Sequence, residues 1–249
     1  MKNFTYIISL SLLVLVSSCG ISEDCFKGNG NQITQTFPLE NFTKIKVYDG
    51  VGLVLKEGPI YEVKIKTSDN IIGDLDVKLV GDMLVVKDNS TCNIARDYGQ
   101  TVVYVTTPTL TEIHCKTEQD IKSDGVLSYP SISIYSIDIS DGAGTGDFYL
   151  DVACNNLYIE SNNVSNYYIK GTSDTMHVFF SWGNGRFQGE NLFVNSISFY
   201  HRGSNNMTIH AINSLTGSIY ATGNVVLKNN PIQAPAVTEL FKGRLINDF

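Results

Sequence analysis

The stretch DGAGTGDFYLDVACNNLYIE (Asp141–Glu160) decides the fold, because copies of its layout follow it with a period of twenty residues. SNNVSNYYIKGTSDTMHVFF begins at Ser161, SWGNGRFQGENLFVNSISFY at Ser181 and HRGSNNMTIHAINSLTGSIY at His201. A shortened copy, ATGNVVLKNNP, runs from Ala221 to Pro231. Each unit opens on a small polar or Gly-rich turn, passes through a short strand, turns again and closes on a second strand. That period is too short for a propeller blade or a helical hairpin and matches one coil of a β-solenoid. The expected fold is therefore all-β: a right-handed parallel β-helix of coils about twenty residues long, preceded by a strand-rich capping layer.

The strand segments fall on two lines. Phe148–Leu150, Tyr167–Ile169, Phe187, Met207–Ile209 and Val225–Leu227 form one. Leu157–Ile159, His177–Phe180, Ile197–Tyr200 and Ser218–Tyr220 form the other. Both are rich in aromatic and β-branched residues, which suit a pleated surface. Ile159, Phe179, Phe199 and Ile219, spaced by twenty, predict one buried column in which each coil rests on the next. The corners carry residues that accept positive φ: Gly142, Gly144, Gly146, Gly183 and Gly185, with Asn162, Asn163, Asn205 and Asn206 as substitutes.

Upstream, residues 1–19 read as a lipoprotein signal segment. Lys2 precedes an apolar run from Ile7 to Val16, too short to span a bilayer as a permanent helix. Val16-Ser17-Ser18-Cys19 resembles a bacterial lipobox, whose chemistry is diacylation of the cysteine thiol followed by cleavage just before it. Cys19 would then carry palmitate-type chains that anchor the protein without spanning the membrane. Residues 20–36 form a flexible tether that includes Ser22-Glu23-Asp24. This acidic run resembles the surface-export signal of Bacteroidetes lipoproteins. The expected location is the outer membrane, with the chain lipid-anchored and facing either the cell surface or the periplasm.

Residues 37–109 alternate apolar and polar positions between turn signals at Asp49-Gly50, Glu57-Gly58-Pro59 and Gly81-Asp82, an amino-terminal β layer continuous with the solenoid. Asp69–Gly73 fits a helical turn or a wide loop. Coils occupy residues 110–231, and 232–249 form a tail or cap. The formal charge is −7, and no Lys/Arg cluster lies along a strand or turn, which argues against a nucleic-acid partner. Besides Cys19 there are Cys25, Cys92, Cys115 and Cys154; an exported protein tolerates disulfides. Cys115 and Cys154, both in the coil region, are the candidate pair, and unpaired buried thiols are the alternative.

Phe42-x-x-Ile45-x-Val47-x-x-Gly50-Val51-x-Leu53-x-Leu55, then Tyr61-x-Val63-x-Ile65, Val77, Gly81-Asp82-Met83-Leu84 and Val102, Val103 and Val105, resemble the opening of the auto-transporter adhesin head (GIN) domain family. The Gly-x-Gly run Asp141–Asp147, Ser181–Gly185 and Gly217–Val225 resemble its carboxy-terminal signature. The resemblance covers residues 38–231 and departs from the pattern where Asn162-Asn163 and Asn205-Asn206 replace glycines. It implies a Bacteroidetes-type lipoprotein or exported protein and supplies no catalytic residue, ligand set or cofactor.

Asp138, Asp141, Asp147 and Asp151 are the acids to consider for glycosidase-type chemistry, but Asp138, Asp141 and Asp151 are not register mates in a twenty-residue coil, and Asp141 and Asp147 flank a glycine turn where acids commonly bind their own backbone. His114, His177, His201 and His210 lack metal-ligand spacing, so no metal and no cofactor is expected. Phe180 and Tyr200, one period apart, with Trp182, Arg186, His201 and Arg202, form the candidate ligand-binding patch, an aromatic surface rimmed by polar groups. Three functions fit: a non-enzymatic envelope solenoid that binds glycan or protein in adhesion, a glycan-active hydrolase or lyase, and a structural assembly component. The first is the leading expectation.

Overall fold

A computed structural model describes residues 26, 28–90, 97, 99–138 and 140–249; the signal segment, Cys19, Cys25 and Cys92 lie outside the described residues. The amino-terminal strands are β1 (Gln32–Phe37), β2 (Lys44–Tyr48), β3 (Val51–Glu57), β4 (Glu62–Ser68), β5 (Leu75–Val80), β6 (Met83–Asp88) and β7 (Thr101–Thr107). The short coils follow as β8 (Glu112–Lys116), β9 (Ile121–Leu127) and β10 (Ser131–Ser136). Four long strands then bend round a corner: β11 (Phe148–Ser161), β12 (Asn166–Phe180), β13 (Arg186–His201) and β14 (Met207–Ile219). β15 (Val225–Leu227), β16 (Ala236–Glu239) and β17 (Leu245–Asn247) close the chain.

These strands wind into a β-solenoid with two walls. Wall A runs β6–β2–β8–β10, through the second halves of β11 to β14, to β16. Wall B runs β1–β4–β7–β3–β9, through the first halves of β11 to β14, to β15 and β17. Pairing is parallel except where β4 meets β1 and β7, and where β5 meets β6. Coil pairing already begins at Lys44, and the coils do not stack in chain order. β2 and β3 form a coil held between the β6–β7 coil and the β8–β9 coil.

Two similar turn signals have different outcomes here. Gly81-Asp82 closes the antiparallel β5–β6 hairpin, whereas Asp49-Gly50 turns the chain from wall A to wall B. Ile72–Asp74 form a short 3-10 turn, as the sequence allowed. The antiparallel strands at the amino-terminal end cover an edge that would otherwise invite further pairing.

One apolar core runs the length of the coils. On wall B, Phe148, Tyr167, Phe187, Met207 and Val225 are register mates and fully buried, with the Phe148 and Tyr167 rings stacked at 4.8 Å. Burying one such side chain contributes about 1.5–3 kcal/mol. Wall A corrects the expected column. Ile159 pairs with Val178, then Phe199, then Gly217, at separations of nineteen, twenty-one and eighteen residues. Phe179 consequently faces outward, and Ile219 belongs to the inward column of Ser161, Phe180 and His201.

Gly171 shows how closely the coils approach. Its φ is +111°, and a Cβ there would lie 2.0 Å from the Val152 carbonyl oxygen of the coil below. Gly81, also at positive φ, has open space around it. Gly171→Ala is expected to cost about 3 kcal/mol or more from combined strain and overpacking. Gly81→Ala should cost about 1 kcal/mol. Urea midpoints of the two variants check this, and equal losses would contradict the close approach.

Candidate functional site

Corner length controls what this solenoid displays. Six residues (181–186) separate the inward-facing Phe180 from Phe187, against five at the flanking corners (162–166 and 202–206). The coil ladder fixes both ends, so the extra residue must bulge outward. Trp182 occupies that bulge and is 60% exposed. It stands in a groove of about 550 Å³, between Ala143 and Asn162 on one side and Arg202, Ser204 and Ala221 on the other.

The far wall of the groove is Gly142, Ala143 and Thr145, on the corner that follows β10. It is pinned from inside by Lys116, a nearly buried side chain whose Nζ donates to the carbonyls of Ile137 (2.6 Å) and Asp138 (3.1 Å). The same Nζ lies 3.7 Å from an Asp141 carboxylate oxygen, which also accepts from the Tyr48 hydroxyl at 3.2 Å. Ser136 and Ser165 both donate to the Gly144 carbonyl, and the Ala143 amide donates to Asp49. On the corner itself, Asn163 Nδ2 donates to the Ala143 carbonyl and Ser204 Oγ to Asn184 Oδ1. The groove is thus held by hydrogen bonds from one coil to the next.

Outside wall A, seven rings form an unbroken band missed by sequence reasoning. His114, Tyr135, Tyr158, His177, Phe179, Tyr200 and Tyr220 follow one another with centroids 4.7, 5.8, 5.6, 6.4, 4.8 and 4.5 Å apart. The last ring precedes Ala221, so the band ends at the rim of the Trp182 groove. The varying coil separations hide it from a twenty-residue comparison.

Residues 41–231 match the family described as "Putative auto-transporter adhesin, head GIN domain". The chain belongs to this family. Its solenoid resembles a solved "putative adhesin" of Bacteroides fragilis at 20% identity and TM-score 0.79, covering 88% of this chain and 97% of that one. A second "putative adhesin", from Parabacteroides distasonis, matches at 12% identity and TM-score 0.63, with 90% and 99% covered. A "putative lipid binding protein" from the same species matches at 14% identity and TM-score 0.61, with 88% and 98% covered. Among curated proteins, none matches.

In this GIN domain the predicted patch divides. Trp182 and Arg202 meet in the groove, Tyr200 lies in the aromatic band, and Arg186 is exposed at the start of β13 outside the groove. Phe180 and His201 are register mates buried inside the coil, so they are not part of any surface patch. The ring beside Tyr200 one coil below is Phe179, not Phe180. The cause is again the twenty-one-residue step at this corner.

The four acids are occupied structurally. Asp138 and Asp141 hold the corner that follows β10, Asp147 accepts from the backbone and side chain of Asn166, and Asp151 pairs with Lys170 at 3.2 Å. His114 contacts Glu112 at 2.8 Å, His177 contacts Ser198 at 2.7 Å, and His210 lies against Phe193. Burial holds His114 below the ordinary histidine range. Among the described residues no three potential ligands group around a metal-sized space. Cys115 and Cys154 are free rather than bridged: Cys115 Sγ faces the Thr117 carbonyl and Cys154 Sγ the Ser173 hydroxyl. Burial pushes the Cys115 thiol up to about 11.

His201 is the exposed-patch candidate that proves to be a core residue. Neither ring nitrogen has a well-formed hydrogen bond, and burial depresses its pKa to about 4, with little compensation from the Asn205 backbone. An unfolded histidine titrates near 6.5. The native state binds this proton less readily, so the stability contribution is fully present above about pH 6.5 and declines as pH falls toward 4. Wild-type protein should lose up to about 3 kcal/mol more than His201→Phe over that window. Denaturant titrations of both proteins at pH 7 and pH 4 measure the difference; parallel losses would count against the assignment.

Proposed function

We propose that this GIN-domain protein is a lipid-anchored, outer-membrane recognition module that binds a glycan or protein partner in adhesion and catalyses no reaction. The Trp182 groove carries this reading. It combines a forced-out indole with side-chain amides, a hydroxyl and a guanidinium on a hydrogen-bonded frame, the mixture that orients ligands in small-molecule sites. The adhesin description of the family agrees with it, and the structural engagement of all four candidate acids argues against hydrolysis. Cys19 supplies the anchor, and Ser22-Glu23-Asp24 favours the cell surface over the periplasmic face.

The test uses the mature chain, residues 19–249, carrying Cys19→Ser, against immobilised glycans and extracellular matrix proteins. Saturable binding to one class is expected. Trp182→Ala and Arg202→Ala should each weaken it tenfold or more, about 1.4 kcal/mol, without moving the unfolding temperature, because both side chains are exposed. Failure to bind either class, or binding indifferent to Trp182→Ala, would overturn the reading.

A further inference from the structure

A second trough lies on wall B, past the corner and apart from the Trp182 groove. It crosses β9, β11, β12 and β13, and its volume of about 640 Å³ falls within the usual range of small-molecule sites. Register irregularities build both ends. In β9, Lys122 pairs with Tyr149 but Val126 with Asp151, so two extra residues are accommodated around Ser123–Gly125. In β13, Gln188 pairs with Tyr168 but Leu192 with Gly171, so one extra residue is accommodated. That bulge leaves Glu190 and Asn191 both facing solvent, while Gly189 and Leu192 face the core.

The floor between the bulges is regular. Tyr149 and Tyr168 stack at 4.9 Å with ring planes within 7° and remain about two-fifths exposed. Lys122 Nζ caps the far face of Tyr149 at 5.3 Å. The next residue up the column after Tyr168 is Gln188, so the ring stack stops there, and the exposed part of the Tyr168 ring lines the trough beside Gln188. Beside the stack, Asp151 and Lys170 neutralise each other at 3.2 Å, whereas Glu190, Asn191 and Gln188 present a carboxylate and two amides.

We propose that this trough binds a short saccharide, with one pyranose ring packed against the exposed part of the Tyr168 ring. The sugar lies beside Gln188, which holds the third position of the column without a ring. Its hydroxyls donate to the Glu190 carboxylate and exchange hydrogen bonds with Gln188 and Asn191. The apolar C–H face of a pyranose suits an aromatic face, and the hydroxyls suit the acid and amides of the bulge. Four neighbouring strands span roughly 14 Å at the usual interstrand spacing, room for a short oligomer.

The test is calorimetric titration of the mature chain carrying Cys19→Ser with neutral trisaccharides of glucose, mannose and N-acetylglucosamine. At least one should bind. Tyr168→Ala should weaken it tenfold or more and Glu190→Gln about fivefold, while Tyr168→Phe, which keeps the stacking ring, leaves it unchanged. Gln188→Tyr is the decisive variant, because it continues the ring column at an outward strand position that favours aromatics. It should keep or raise the unfolding temperature while abolishing binding. Absence of binding across the panel, or binding that survives Gln188→Tyr in folded protein, would overturn the proposal. Binding lost on Trp182→Ala but kept in Tyr168→Ala would also overturn it, and would place the sugar in the other groove.

Discussion

Hydrogen bonding of each coil to the next, at a strand spacing near 4.8 Å, is the constraint from which the rest of this structure follows. It sets every side chain directly over a counterpart, so residues are selected by column as much as by coil. Inward columns must interlock along their whole length, and the Phe148–Tyr167–Phe187–Met207–Val225 column does so with no residue exposed. Outward columns obey the same spacing. This is why the surface carries ring stacks: Tyr149 on Tyr168, Tyr158 on His177 and His114 on Tyr135 lie 4.9, 5.6 and 4.7 Å apart. The ladder that forms the core also makes the aromatic surface.

A ladder so strict tolerates changes of length only where hydrogen bonding is interrupted. Corners and bulges absorb them, and both grooves arise there. One extra corner residue raises Trp182, Gly142, Ala143 and Thr145 form the facing wall, and the β13 bulge turns Glu190 and Asn191 outward together. The coil beneath each feature remains intact, because the inward columns resume their register on the far side. Display is thereby separated from stability: these residues contact solvent, and their loss leaves the core columns unbroken.

Much of this was legible in the sequence, for an identifiable reason. The separations on wall B are nineteen, twenty, twenty and eighteen residues, close enough to twenty to reveal the repeat and its line of strands. Wall A steps by nineteen, twenty-one and eighteen; the average is preserved while individual partners slip by one. In a strand a slip of one exchanges inside for outside. Phe180 and His201 therefore read as surface residues and are core, and the Tyr149–Tyr168 pair, nineteen apart, did not register as a column. Trp182 and Arg202 were found because Gly-rich corners mark themselves in the sequence whatever the register. Nothing local announced that β2 lies between β6 and β8, since its partner in β8 is 68 residues away (Lys44 opposite Glu112).

The placement of the grooves along the coil axis bears on how an anchored protein would use them. On wall B, β1 forms the amino-terminal edge, and six strand-to-strand steps lead from it through β4, β7, β3, β9 and β11 to Tyr168 in β12. At the usual interstrand spacing that is about 30 Å, comparable to the hydrocarbon thickness of a bilayer. If the chain is anchored through Cys19 as we propose, the antiparallel cap would lie on the anchor side and the coils would carry Trp182 and Tyr168 away from it by about that distance. The amino-terminal strands then have two roles that require the same geometry. They close the edge of the solenoid against further pairing, and under the proposed anchoring they would serve as a spacer that lifts both grooves clear of the membrane.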